Sequence, residues 1–443
     1  MIQNASPDGP RGLVIAAPNS NTGKTVFTMG LVRALLSRNV DVEVAKAGPG
    51  FIDPQYLARA AGRPCHNLDK WALGAVQLQA RARALAEGRD LLVIEGMMGM
   101  FDGAASTAGS TADLAATLDL PVLLVVDSSG LAQSIAALVH GYATLRQRPR
   151  LCGVIATQVG SPGHAEMLRE ALIEIGIPML GALMRSGDLA IPSRHLGLVQ
   201  ASERDQTCDL IEAAKDAVLA GVDLDAILAA ARPLGSVQPP VRLPPLGQRI
   251  AVAQDEAFEF AYPHLLDDWQ VEGAEIIPFS PLSGESPRVD CDAVFLPGGY
   301  PELHAGKLAQ QGGFFAGLEA ARERGALIYG ECGGYMVLGR TLIDADGHAH
   351  GMAGLLDHVT SFEHQKMHLG YRTLIPQQSD VWKAPLRGHE FHYSVLEDPG
   401  RDDPLFQQSD ARGTDLGFTG GRRGNVMGSY AHIIDQDPAG AMA

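Results

Sequence analysis

The five apolar residues Leu13–Ala17 run directly into the loop Ala17-Pro-Asn-Ser-Asn-Thr-Gly-Lys-Thr25. A helical stretch follows with Phe27, Leu31 and Leu35 on one face. An apolar run without polar alternation reads as a strand buried on both faces, and such strands belong to parallel sheets covered by helices. The runs Leu91–Ile94, Val122–Val126 and Gly153–Ala156 repeat the pattern, each leading into a loop and a helix. Residues 232–248 (RPLGSVQPPVRLPPLGQ) interrupt it with five prolines and almost no periodicity, as expected of an extended, semi-rigid linker. A second α/β series opens at Ile250–Ala253 and continues near Ala293–Leu296 and Ala326–Tyr329. The expected organisation is a domain over 1–235, a linker over 236–248 and a domain over 249–443.

Composition narrows the partners. With 35 Lys and Arg against 51 Asp and Glu, the net charge of −16 repels a phosphate backbone and argues against nucleic acid. No apolar run approaches the roughly 18–20 residues of a membrane span. The segment Met1–Arg11 is polar, without the apolar centre of a leader, so a cytoplasmic protein is expected. Five cysteines scattered through a long chain do not form a disulfide framework.

A strand, a loop ending in Gly-Lys-Thr and a helix together form the context of a phosphate-binding loop. The free N–H groups at the helix start favour phosphate. Asn21, Thr22, Gly23, Lys24 and Thr25 are the candidate ATP-binding residues, with Lys24 reaching the outer phosphates and the Thr25 hydroxyl placed for Mg²⁺. Mg²⁺ needs further hard oxygen ligands. Asp53, in Phe51-Ile-Asp-Pro54, and Glu95, at the end of an apolar strand, are the candidates, because open α/β sheets bind ligands beyond their strand ends.

The second series carries a different chemistry. The strand Ala326–Tyr329 runs into Gly330-Glu-Cys-Gly-Gly334 and a helix, a turn that exposes a nucleophile, here Cys332. A helix N-terminus behind the thiol is expected to lower its pKa. The Gly333 N–H can form half of an oxyanion hole, and the glycine turn Leu296-Pro-Gly-Gly-Tyr-Pro-Glu302, through Gly299, the other half. The base should be a distant histidine: His432 follows the last plausible strand, and His389 and His392 compete with it. Glu363, His364 and His368 form a weak metal candidate.

Taken together, these motifs resemble the amidating enzymes of corrinoid biosynthesis, closest to the a,c-diamide synthases acting on cobyrinic or hydrogenobyrinic acid. The residues carrying the resemblance are Ser20–Thr25, Ile52–Pro54, Glu95-Gly-Met-Met-Gly-Met-Phe-Asp-Gly103, Gly109–Asp113, Pro192–Leu198, Pro297–Glu302, Glu331–Tyr335 and Gly388–Ser394. The resemblance implies a doubly wound, P-loop domain similar to dethiobiotin synthetase, followed by an α/β domain similar to class I glutamine amidotransferases. It implies L-glutamine, ATP and a corrinoid polycarboxylate as substrates. Cys332 and His432 would release ammonia, and carboxylates would be activated as acyl phosphates. Arg185, Arg194 and His195 are the basic residues expected to meet the polycarboxylate. The linker is compatible with a homodimer.

The sequence departs from those families at several points. Class I glutaminases often carry a glutamate two residues beyond the histidine, but position 434 is Ile and Asp435 follows, which leaves a Cys–His pair as an alternative. Thr157-Gln158 stands where an asparagine linked to the nucleotide base is usual. Cobyric acid synthase and a nickel-tetrapyrrole a,c-diamide synthase are alternatives of the same class. A P-loop regulatory ATPase with a degenerate amidotransferase module is an alternative of another.

Overall fold

The computed structural model describes residues 9–104, 108–189, 193–194, 197–198, 207–377 and 381–438. Two compact units divide the chain, 1–241 and 242–443.

In the first unit the elements run β1 (Arg11–Ala16), α1 (Lys24–Ser37), β2 (Val42–Ala47), α2 (Ile52–Ala61), β3 (His66–Leu68), α3 (Lys70–Ala86) and β4 (Leu91–Glu95). They continue α4 (Thr111–Leu118), β5 (Val122–Asp127), α5 (Ile135–Thr144), β6 (Leu151–Val159), α6 (Pro162–Ile173) and β7 (Met179–Met184). A short pair, β8 (Ser193–Arg194) and β9 (Gly197–Leu198), precedes α7 (Thr207–Gly221), α8 (Leu224–Ala230) and β10 (Arg232–Pro233). Seven strands form a parallel sheet in the order β3-β2-β4-β1-β5-β6-β7, and β10 pairs antiparallel with β1. Alternate residues of β1 feed two cores: Leu13 and Ile15 join Phe27, Leu31 and Leu35 of α1, whereas Val14 and Ala16 join Leu78 and Leu118 across the sheet. Each fully buried Leu or Ile contributes about 1.5–3 kcal/mol. The central strands are thereby fixed, and their C-terminal ends form one edge. The start of the proline-rich stretch 232–248 is built into this unit, since Arg232 and Pro233 extend the sheet and Leu234 joins the second core.

The second unit begins with β11 (Arg249–Ala253), α9 (Pro263–Val271), β12 (Glu275–Phe279), β13 (Ala293–Leu296), α10 (Ala305–Leu308), α11 (Gly312–Glu323), β14 (Leu327–Glu331) and α12 (Gly333–Leu338). Then come β15 (Thr341–Ile343), β16 (Ala349–Gly351), β17 (Val359–Ser361), β18 (His368–Pro376), β19 (Leu386–His392) and β20 (Val395–Asp398). The chain closes with β21 (Phe406–Asp410), β22 (Asp415–Thr419), β23 (Gly421–Arg423), β24 (Val426–Ser429) and β25 (His432–Gln436). The main sheet is β12-β11-β13-β14-β24-β23, parallel except for β23. Two further sheets, β16-β15-β17-β20 and β22-β21-β18-β19-β25, hold the strands that follow the Cys332 turn, apart from β23 and β24. Parallel pairing of β14 with β24 puts Glu331 opposite Ser429, so the Cys332 turn and the start of β25 lie together at the same sheet edge.

Candidate functional site

In the first unit the loop after β1 turns through Asn21 (φ 63°) and Gly23 (φ 86°), the latter being the N-cap of α1. A left-handed N-cap suits glycine. Lys24 folds over the loop and donates from Nζ to the Met98 carbonyl at 2.8 Å. Burial, with the charge of Lys46 beside it, pulls Lys24 down to about 8. The Thr25 hydroxyl donates to Glu95 Oε1 at 3.0 Å. Thr157 is part of the same cradle, its hydroxyl donating to the Thr22 carbonyl at 2.7 Å.

The expected ligands Asp53 and Glu95 are brought together by a residue that sequence reasoning passed over. Lys46, on β2, lies 2.6 Å from Asp53 Oδ2 and 2.7 Å from Glu95 Oε1. Burial alone would lower the Lys46 pKa, but the two carboxylates reverse that and raise it above the ordinary value. Glu95 Oε2 is buried and accepts no hydrogen bond among the described residues. An orphaned carboxylate oxygen beside Thr25 Oγ1 and Asp53 is a hard-oxygen donor set that fits Mg²⁺. The signal in the sequence was a lysine on a buried strand, which needs an acid within reach.

In the second unit Cys332 sits at φ 46°, ψ −106°, between β14 and α12. Its N–H donates to the Ser429 carbonyl at 2.8 Å, which pins the turn to the end of β24. The expected lowering of the thiol pKa does not occur. Burial raises it, Glu302 raises it further, and only the Gly333 N–H acts in the other direction. α12 has six residues, too short a dipole to offset complete desolvation. The thiol is therefore a neutral group that needs a base.

The turn after β13 brings that base close. A Cβ on Gly298 would lie 2.3 Å from His432 Cε1, 3.0 Å from its Nε2 and 3.2 Å from Cys332 Cβ, so only glycine fits between nucleophile and imidazole. A Cβ on Gly333 would be 3.0 Å from the Gly299 nitrogen, which puts the two expected oxyanion-hole glycines side by side. The other face of His432 meets Glu331: Nδ1 is 3.6 Å from Glu331 Oε2, and each side chain is 2% exposed. Glu331 Oε1 accepts the Ile433 N–H at 3.0 Å and the Tyr329 hydroxyl at 3.1 Å. Asp435, the other acid near the histidine in sequence, accepts the neighbouring Gln436 N–H.

The competing histidines are placed differently. His389 stands opposite His432 in the β19–β25 pair, and burial followed by the His432 charge pulls it down to about 3. His392 lies 2.8 Å from Glu390 Oε1 and shares that carboxylate with Arg372, 2.7 Å away. Glu363 and His364 are exposed, and His368 instead groups with Glu390 and His392. A metal there would have to displace the Arg372 pair. The Arg185 side chain is exposed beyond β7. For Arg194 only the backbone, in β8, is described, and His195 lies outside the described residues. No helix among the described residues is long and apolar enough to cross a membrane.

Residues 13–199 match the CobQ/CobB/MinD/ParA nucleotide binding domain, and residues 249–439 the CobB/CobQ-like glutamine amidotransferase domain. A hydrogenobyrinate a,c-diamide synthase from Brucella anthropi is 51% identical over 96% of this chain and 98% of its own. Those of Rhizobium meliloti (50%) and Rhodobacter capsulatus (48%) are each matched over 96% of this chain and 99% of theirs. The chain belongs to the hydrogenobyrinate a,c-diamide synthase family. As a member of it, the chain is a glutamine-dependent, amide-forming ligase with a nucleotide-binding first unit. Both halves of the expected fold, the P-loop α/β unit and the amidotransferase-like unit, are those of this family.

Proposed function

We propose that this enzyme converts the a and c acetate carboxylates of hydrogenobyrinate to amides in cobalamin biosynthesis, using ATP and L-glutamine. What supports this reading is that one chain carries both constellations: Lys24, Thr25, Asp53 and Glu95 converge in the first unit, and Cys332 and His432 flank Gly298 in the second. A regulatory ATPase with a degenerate module would have no use for the second constellation.

A carboxylate is a poor electrophile, and its oxygen leaves badly. Transfer of the terminal phosphoryl group of ATP makes an acyl phosphate, and ammonia then displaces phosphate to give the amide. Lys24 balances charge on the transferring phosphoryl group, and the N–H groups at the start of α1 hold the phosphates. Thr25, Asp53 and Glu95 would hold Mg²⁺, which when bound neutralises phosphate charge. Lys46 holds the two carboxylates together through ion pairs of 2.6 and 2.7 Å. Arg185, Arg194 and His195 are proposed to meet the macrocycle's carboxylates.

In the second unit Cys332 Sγ attacks the glutamine side-chain amide while His432 removes the thiol proton. The tetrahedral oxyanion is held by the N–H groups of Gly299 and Gly333, and His432 returns the proton to the departing ammonia. Water then cleaves the thioester and glutamate leaves. The synthetase chemistry is assigned to residues 1–235 and the glutaminase to 249–443, joined by 236–248.

Incubation with Mg-ATP, glutamine and either hydrogenobyrinate or its cobalt form, followed by mass spectrometry, tests the reading. Two successive exchanges of OH for NH₂ on the metal-free macrocycle are expected. Modification beginning only from the a,c-diamide would instead mean a cobyric acid synthase.

A further inference from the structure

The reaction needs an imidazole presented to Cys332 in one orientation and one tautomer. The residue that usually secures this, a carboxylate two positions beyond the histidine, is the fully buried Ile434 here. We propose that Glu331, the residue immediately before the nucleophile, is the positioning carboxylate of the glutaminase site: it holds His432 through Nδ1 and so presents Nε2 to Cys332. This inference rests on the glutaminase reading above.

The geometry specifies the division of labour. His432 Nε2 and Cε1 face Gly298 and Cys332, and Nδ1 faces Glu331 Oε2 at 3.6 Å. Separations of this size commonly close to a hydrogen bond when the substrate is bound. Glu331 is itself fixed, because its other oxygen accepts from Ile433 N–H, in the backbone of the very strand that carries His432, and from Tyr329 OH. The carboxylate thus hydrogen-bonds the strand that carries His432 and stands 3.6 Å from the ring's Nδ1. Also near the ring are Cys332, His389 from β19 and Tyr262 ahead of α9. His389 is held neutral by burial, so Glu331 supplies the negative charge against the imidazole.

The proton balance follows. With Nδ1–H committed to Glu331, Nε2 is the free base. It takes the Sγ proton as the S–C bond forms, and the imidazolium is stabilised by the carboxylate. Nε2 then gives that proton to the amide nitrogen, the C–N bond breaks and ammonia departs, leaving the thioester. In the second half Nε2 takes a proton from water as the C–O bond forms and returns it to sulfur as the C–S bond breaks. Glu331 remains a carboxylate throughout.

Glu331→Gln keeps the shape and removes the charge. Glutamine hydrolysis should fall about 10²–10⁴-fold in kcat with the KM for glutamine unchanged, as when a triad carboxylate is neutralised. ATP-dependent amidation with ammonium salts should continue. The acid limb of the kcat profile, which reports deprotonation of His432, should move to lower pH, because the imidazolium has lost its counter-charge. Tyr329→Phe removes a donor from Glu331, concentrates charge on the carboxylate and should move the same limb to higher pH, in a protein with only one hydroxyl missing. A Glu331→Gln protein hydrolysing glutamine at the parental rate, or a limb that stays in place in Tyr329→Phe, would overturn the assignment. A parent protein unable to hydrolyse glutamine would instead overturn the glutaminase reading itself.

Discussion

The ammonium of Lys46 lies 2.7 Å from Glu95 Oε1, with the two side chains 4% and 0% exposed. A sealed carboxylate at the end of a buried strand needs a cation or hydrogen-bond donors, and here the Lys46 ammonium and the Thr25 hydroxyl supply both. Asp53 closes the cluster on its outer side. The first unit therefore carries its own positive charge against the two carboxylates proposed as Mg²⁺ ligands.

Replacing that charge exposes the arrangement. Lys46→Met leaves two adjacent carboxylates uncompensated, and breaking a buried pair in this way costs about 3–5 kcal/mol. The thermal midpoint of the variant should fall, and added Mg²⁺ should restore more of it than the ion gives the parent. Equal responses to Mg²⁺ in thermal denaturation would mean that the cluster does not hold the ion.

Glu95→Gln removes one charge without changing shape. ATP-dependent amidation should weaken with either nitrogen source, and its Mg²⁺ midpoint should rise, while glutamine hydrolysis continues. A Mg²⁺ titration identical to the parent's would take Glu95 out of the coordination sphere.

Cys332→Ser replaces a thiol with a hydroxyl far harder to ionise. Glutamine-dependent amidation should drop by orders of magnitude, while amidation driven by ammonium salts stays close to parental. His432→Ala should show the same split. Loss of the ammonia reaction in folded Cys332→Ser protein would move the cysteine into the synthetase chemistry.

Gly298→Ala tests the contact between nucleophile and base with a single methyl. The added carbon would stand 2.3 Å from His432 Cε1, well inside van der Waals contact, so the ring must move away from Cys332. A displacement of this kind costs on the order of 10²-fold. Glutaminase assays should register that loss, and an unchanged kcat would mean that His432 is not the base.

Acid should loosen the second unit through its buried histidines. His358 stacks on Tyr335 with ring centroids 4.0 Å apart, and burial pulls it down to about 4. In the unfolded chain the same ring titrates near 6.5, so only the unfolded state takes up the proton between those values, and stability falls as pH drops from 6.5 to 4. His389 acts in the same direction, down to about 3. Melting curves across this window should decline steeply, and His358→Phe should flatten the slope. A slope unchanged in that variant would assign the acid sensitivity elsewhere.

The strands β1, β4, β5, β6, β11, β13 and β14 were legible because their apolar runs are unbroken, whereas β2, with Glu43 and Lys46 inside it, was not. The two turns were legible because Gly-Lys-Thr and Gly-Glu-Cys-Gly-Gly each follow such a run. The sheets after Cys332 were not. β22 (Asp415–Thr419) and β20 (Val395–Asp398) are short, polar and half-exposed, so they carry neither a buried run nor a clean alternation. Lys46 and Glu331 escaped for another reason. Each acquires its meaning from a partner on a different strand, Glu95 on β4 and His432 on β25, and no spacing along the chain encodes such a meeting. The pKa of Cys332 was misjudged because a helix start is visible in sequence, whereas complete burial is not.

The backbone torsions of Cys332 have an evolutionary consequence. A non-glycine residue held at φ 46° costs on the order of 1–3 kcal/mol relative to a relaxed one. Glycine at that position would remove the strain and the sulfur together. Selection for stability and selection for activity therefore pull this residue in opposite directions. A lineage that obtained its nitrogen from free ammonia would gain by losing the thiol, and would drift toward a sturdier, silent second unit without any other change in the fold.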